Sequence, residues 1–421
     1  QPRGEAMIEG KLIKFYREKA GLTQGQLCEG ICSATHLSKI EREITEYSGE
    51  ITHLLSQRLN ICLDDEFVRY HNLQQKLKLW HNTFVMQQSK ESEILKEEIE
   101  KETLIQLPDF QVFYQLLSAR YYLSNYQLET ALLIIQNLQK NETSFSPQDR
   151  NMLKHVLGMY YFHNGQYRDC IQILTSIDQS QYNQFEYYYH LALAYHLIHF
   201  NIISYYYAEK VLDYFQKTLN VIRIIDTETI MLLQLNAKEL HDFEETKERY
   251  EQLIRTCDTI NEIDRKSKLL NNLAFELYRR KKYKEASELY KEAMKLMDEK
   301  VPHYLTALDG YINTCYKGKL LSNEILLELA HKGLRIAKST KSYNWIFFEL
   351  HLYQLNHEED DYYHFIETTA LPFFKNMGFT MLIEHYEKKL FHFYNRIGAV
   401  QKALDLANSY IQGRKSYYDH E

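Results

Sequence analysis

The residues of this sequence whose types and spacing suit a chemical task are amides and cations rather than nucleophiles. Asn271 and Asn272 stand one turn before Phe275, with Tyr278 and Arg279 following. The apolar set Leu270, Leu273, Ala274 and Leu277 places all five on or beside the opposite side of one helix. Carrying that register along the chain adds Arg120, His155, Met159, His196, Gln234, Lys238, Asn313, His392, Asn395 and Arg396. An Asn amide offers both a donor and an acceptor, so it pairs with a backbone N–H and C=O whatever the sequence. An Arg or Lys beside it holds a carboxylate. The ligand expected on this line is a short peptide, with Arg120, His196, Lys238, Asn271, Asn272, Phe275, Tyr278, Arg279, Asn313 and Asn395 as its contacts.

Signatures of other chemistry fail. Gly310 to Gly318-Lys319 has the wrong spacing for a phosphate loop, and no GxGxxG occurs. Eighteen histidines are scattered without HExxH, and Cys28 and Cys32 lack a second Cys/His pair at zinc spacing. The acidic run His357 to Asp361, followed by His364, has no calcium-loop glycine and reads as a solvated link. Nothing groups a nucleophile with a base. The sequence therefore predicts no enzymatic activity, no cofactor and no metal.

The elements that position the amides repeat. In LLNNLAFELYRRKKYKEASELYKEAMKLM, residues 269–297, two helical sets flank the basic link Arg279 to Lys282, and Ala286, Leu289, Tyr290 and Ala293 form the second set. Small residues at Ala274, Ala286 and Ala293 allow close approach, and Tyr283 and Tyr290 fill wider gaps. This is the tetratricopeptide (TPR) hairpin with Ala for its usual first-helix Gly. Leu157-Gly158 with Tyr161, Tyr167, Cys170 and Leu174 repeats it, as do Leu390, Tyr394, Ala403 and Ala407. Weaker copies start near Asp109, Gln184, Val221, His303, Tyr343 and Phe379, giving about eight hairpins at a period of about 40. Ser146-Pro147, His163-Asn164-Gly165, Lys317-Gly318 and Gly398 supply turns. Stacked hairpins coil into a superhelix with a concave face lined by first helices.

The first sixty residues differ. Ile8, Leu12, Ile13 and Tyr16 open a compact five-helix unit; Thr23 caps a second helix, Ser33 a third, and Ser48 or Gly49 opens a fourth. The second and third, joined by a tight turn, form a DNA-reading helix-turn-helix. The run REKAGLTQGQLCEGICSATHLSKIERE resembles the Cro/repressor type, with Leu27, Ile31, Leu37 and Ile40 in its core positions. The resemblance implies that Gln24 meets a phosphate. It puts Ala34, Thr35, His36 and Lys39 at base edges, and Ser33, Ser38 and Arg42 near the backbone. Glu43 stands where a capping Gly is usual. Met7 to Leu63 holds seven Lys/Arg against seven Glu, so binding requires a dimer on an inverted repeat.

Between the head and the array, Leu73, Leu77, Trp80 and Phe84 form a stripe, followed by the charge run KESEILKEEIEKE. The stretch reads as a linker helix with Trp80 as a packing residue. The predicted organisation is 1–6 upstream or added sequence, 7–66 DNA-binding head, 67–108 linker helix, 109–412 peptide-binding and dimerisation array, and 413–421 tail. The fold class is all-α. Five prolines, fourteen glycines and 35 tyrosines suit long stacked helices, and a net charge of -7 argues against general polyanion binding. Six unpatterned cysteines, no leader and no run of the ~20 apolar residues a membrane span requires predict a soluble cytoplasmic protein with reduced thiols.

A helix-turn-helix head joined to a long TPR array resembles the peptide-sensing regulators of Gram-positive bacteria, the Rap/Rgg/NprR/PlcR/PrgX (RRNPP) group, nearest its NprR and PlcR-like members. The resemblance implies a homodimeric, quorum-sensing transcription factor of sporulation or virulence control. A re-imported signalling peptide in the array would alter its dimer or tetramer state and hence its promoter occupancy. The Rap branch lacks a DNA head and binds or dephosphorylates phosphorelay response regulators; NprR-like members combine both. A plain TPR scaffold is the remaining alternative.

Overall fold

Side-chain caps punctuate the amino-terminal helices where the sequence places them. The computed structural model describes residues 3–44, 48–237, 242–377 and 379–408, and all regular structure among them is helical. Helices α1 (Arg3–Lys19), α2 (Gln24–Cys28), α3 (Ala34–Glu41) and α4 (Gly49–Leu59) form the head. Thr23 and Gln26 close a reciprocal capping box on α2, and the Ser33 and Ser48 hydroxyls accept from the third backbone N–H beyond them. Ile13, Leu27, Leu37, Ile40 and Leu55 are fully buried together, with Ile31 packed at their edge. Glu43 holds φ 61° just past α3, the left-handed position usual for glycine.

The linker is two helices rather than one. α5 (Leu63–Val85) and α6 (Ser89–Glu100) fold back on each other about Gln87, whose φ is 59°. Trp80 is completely buried, and its indole N–H donates to Ser92 Oγ at 3.1 Å. The apolar stripe of α5 also packs on the first helix of the array, with Tyr70 against Phe110 and Trp80 against Tyr114 at ring separations of 4.7 and 6.0 Å. Covering that stripe removes it from water, leaving most of the charges of α6 outside.

Helical hairpins follow: α7 (Pro108–Ser124) with α8 (Leu128–Gln139), α9 (Pro147–His163) with α10 (Tyr167–Thr175), and α11 (Tyr187–Leu197) with α12 (Asn201–Lys217). α13 (Val221–Ala237) leads into the second compact unit; the chain divides into Gln1–Ile224 and Ile225–Glu421. In that unit come α14 (Phe243–Thr259), α15 (Ile263–Arg279) with α16 (Tyr283–Lys295), and α17 (Pro302–Gly318) with α18 (Asn323–Ser339). α19 (Trp345–Leu355) and α20 (Glu359–Phe365) run through a π-helical turn into α21 (Leu371–Met377) and α22 (Thr380–Arg396), with a last helix over 400–408.

The hairpin template is realised as read. Leu270, Leu273, Ala274, Leu277, Ala286, Tyr290 and Ala293 are all buried. Gly158 replaces Ala274 in its own repeat because a Cβ there would lie 2.4 Å from Leu174 Cδ2. The described links after first helices each hold one residue in the left-handed region. They include Gly165 and Gly398, but also Tyr126, His199, Lys281, Lys319 and His357, at φ from 52° to 75°. Among the described residues no helix is long and apolar enough to cross a membrane.

Candidate functional site

On the head, α3 presents Ala34, Thr35, Lys39 and Arg42 to solvent, and Ser33 is exposed while its hydroxyl caps the helix. Ser38 is half-buried. His36 departs from its expected place at base edges: it is half-buried, and its Nε2 is shielded with no hydrogen-bond partner. Gln24 is already engaged, because its Nε2 donates to Glu41 Oε2 at 2.8 Å. Glu41 also takes the Arg17 guanidinium in two bonds of 2.5 and 2.9 Å, so this buried pair contributes no free positive charge. Lys39 and Arg42 are the cations that α3 leaves outward.

The first unit corrects the expectation for Arg120. The residue is 2% exposed, and its Nη2 donates to Glu186 Oε2 at 2.6 Å, while Arg223 Nη2 reaches Glu186 Oε1 at 2.9 Å. Burial would raise the Glu186 carboxyl, but the two guanidiniums override it and hold it below the ordinary carboxylate range. Beside this clamp, His155 stands 2.9 Å from Tyr182 Oη and 3.1 Å from His190 Nδ1. Burial lowers His155 to about 3 and His81 to about 4, and pushes His190 down as well, with the nearby guanidiniums adding to each. All three imidazoles are neutral near pH 7. His155 and Met159, also read as groove residues, are buried here. For Arg120 the reason is α5: His81 meets it at 3.4 Å and Phe84 lies under its guanidinium, while Asn220 donates to the Val85 carbonyl at 2.8 Å; His155 is enclosed instead by Tyr182, Tyr187 and His190. The chain's own residues cover the face that the sequence assigned to ligand. His196, further along, is half-buried.

In the second unit the predicted amides keep an open side. Asn271, Asn272 and Asn313 are half-buried, and Asn271 Oδ1 is shielded from water with no donor among the described residues. Phe275 is 49% exposed and stacks on Tyr278 at 6.3 Å, while Arg279 is exposed. Successive first helices touch, α15 with α17 and α17 with α19, which brings their side chains onto one surface. There Asp309 accepts from His351 Nε2 at 2.6 Å. Burial raises the Tyr278, Tyr290 and Tyr386 phenols, and the Asp309 carboxylate adds to each. Lys389 joins the surface from α22; burial lowers its ammonium and Asp309 partly offsets that. Gln234 is buried, whereas His392, Asn395 and Arg396 are exposed, Arg396 pairing with Glu359 at 2.6 Å. Lys238 lies outside the described residues.

Asp309, His351 and Lys389 were missed by the sequence reading. Asp309 precedes Asn313 by four residues and Lys389 precedes His392 by three, so helical spacing alone puts each on the face of a residue already chosen. His351 carried no such signal, because α19 is apolar nearly all round. Chemically, this surface combines an unpaired amide oxygen, free amides, an exposed ring, a carboxylate and an ammonium. Such a set suits an extended peptide better than a metal, and among the described residues no group of three or more His, Cys, Asp or Glu could hold one.

No family model matches the chain. A curated relative, Transcriptional activator NprA of Geobacillus stearothermophilus, is 23% identical over 389 residues, 88% of this chain and 94% of its own. The apo form of the quorum sensor NprR from B. thuringiensis superposes with a TM-score of 0.68 at 20% identity, covering 81% of this chain and 98% of that one. A Rap protein complexed with Competence and Sporulation Factor gives 0.67 at 16% identity, covering 83% and 99%.

One expectation is withdrawn on these comparisons. Aspartyl phosphate phosphatase F from Bacillus subtilis matches 81% of this chain and 94% of its own, at 16% identity and a TM-score of 0.47. That protein is an enzyme by name; the expectation of no enzymatic activity rested on missing motifs alone and is not kept. Phosphoryl transfer is catalysed by positioning and electrostatic stabilisation, neither of which requires a nucleophile motif. The chain shares the fold of these NprR and Rap structures.

Proposed function

We propose that the chain is a peptide-responsive regulator in which the surface shared by α15, α17, α19 and α22 takes the backbone of a short extended peptide. The observation that carries this reading is Asn271 Oδ1, buried without a donor among the described residues and beside Asn272 and the exposed Phe275. A buried acceptor left unmatched costs roughly 1–3 kcal/mol. A peptide N–H would recover that loss. In this reading residues 7–66 bind an inverted-repeat operator as a dimer through Ala34, Thr35, Lys39 and Arg42. Residues 67–108 join that head to an array of about eight hairpins over 109–412, which binds peptide and pairs protomers. Peptide occupancy would alter dimer or tetramer state, with quorum sensing as the setting.

The likeness to a Rap protein favours a second reading, in which the array binds a phosphorelay response regulator or promotes its dephosphorylation. The two separate in one experiment. Selection of random duplex DNA on the full chain, with and without peptide recovered from it by mass spectrometry, should enrich an inverted repeat in a peptide-dependent manner. Absence of any enriched sequence, together with retention of a response regulator or loss of its aspartyl phosphate, would leave the second reading standing alone.

A further inference from the structure

We propose that Lys389 anchors a carboxylate of the bound peptide, either its C-terminus or an Asp or Glu side chain. The inference rests on the peptide reading above and names the ligand group that one part of the same surface takes. Lys389 is half-buried on α22, and its Nζ donates to the Tyr362 hydroxyl at 2.8 Å. The ring centres of Tyr362 and Tyr386 each lie 5.4 Å from the ammonium. An ammonium has three donors, so a single neutral phenol leaves two of them unmatched.

Three neighbouring cations are treated differently, while the adjacent Lys388 is exposed to water. Lys375 pairs with Glu387 at 2.8 Å, Lys402 with Glu367 at 2.8 Å and Arg396 with Glu359 at 2.6 Å. Among the described residues no carboxylate comes within ion-pair distance of Lys389. Asp309, whose field reaches it, has Oδ1 committed to His351. The result is a cation drawn partly out of water between two aromatic faces and short of an anion. A partly desolvated charge gains more from a new partner than an exposed one does. Its place beside Asp309 and Asn313's face puts that gain where the peptide would run.

The test uses the full chain and three pools of short random peptides. One has free C-termini and no Asp or Glu, one has internal Asp or Glu and amidated C-termini, and one has neither carboxylate. Retention on the immobilised chain is read by mass spectrometry against input. The wild-type chain should hold a carboxylate-bearing pool at least about tenfold over the third. The first pool winning would assign the C-terminus, the second a side chain. K389M should bring the ratio close to one; K389Q carries the same test if K389M does not fold. Equal retention of all three pools by wild type, or a preference that survives K389M or K389Q, overturns the assignment while leaving peptide binding intact. Retention of no pool by wild type removes the peptide reading and this inference with it.

Discussion

The two units treat polar side chains on their first helices in opposite ways. In the first, Arg120 and Arg223 both pair with Glu186, leaving only the guanidinium Nε atoms without a hydrogen bond among the described residues, with three imidazoles alongside and α5 over Arg120. In the second, among the described residues, Asn271 Oδ1 has no donor and Lys389 has no carboxylate partner. One repeat scaffold thus builds a locked polar core in one place and an under-partnered surface in another. Buried polar groups stabilise when every partner is present and cost stability when one is missing.

The largest test of this contrast removes the clamp. Glu186→Ala leaves two buried guanidiniums facing each other and should destabilise the first unit by about 3–5 kcal/mol, read by denaturant unfolding. A loss below about 1 kcal/mol would mean that water reaches the cluster and that it is not locked.

Acid should find the same cluster next. His81 and His155, with folded values near 4 and 3, and His190, also lowered, bind protons more readily when unfolded. Their contribution is therefore present above their unfolded value of about 6.5 and is lost as pH falls from there toward 4. Melting temperature should drop across that window, with hydrogen exchange rising first in α7, α9 and α11. A His155→Phe variant should show a shallower drop; an unchanged slope would take His155 out of the account.

In the second unit, Asn271→Leu should behave in reverse. Replacing an unsatisfied buried amide by an apolar side chain of similar size should leave stability unchanged or raise it by about 1 kcal/mol, while peptide retention falls. Simultaneous loss of stability would show that Asn271 holds the hairpin rather than a ligand. The smallest effect concerns the scaffold common to both units. Lys281 sits at φ 61°, so Lys281→Gly should stabilise by a few tenths of a kcal/mol to about 1 kcal/mol in thermal melts.

The helices, their caps and their apolar faces were legible in the sequence because they depend on local spacing: Thr23, Ser33 and Ser48 cap where they stand, and Leu273 and Ala274 are buried by the same 3.6-residue period that selected them. That period also named the exposed residues of α3 and the half-buried amides of α15 and α17. It did not reveal that Arg120 and His155 face protein, since both have the spacing of groove residues. Their fate was decided by α5 folding over Arg120 and by Tyr182 and His190 enclosing His155, contacts between segments far apart in sequence. Likewise Glu186, Asp309 and Lys389 carry no motif; only packing several helices side by side brings Arg120 to Glu186 and Lys389 toward Asp309. Periodicity sets which side of a helix a residue occupies, and tertiary structure alone decides whether protein, water or ligand lies opposite.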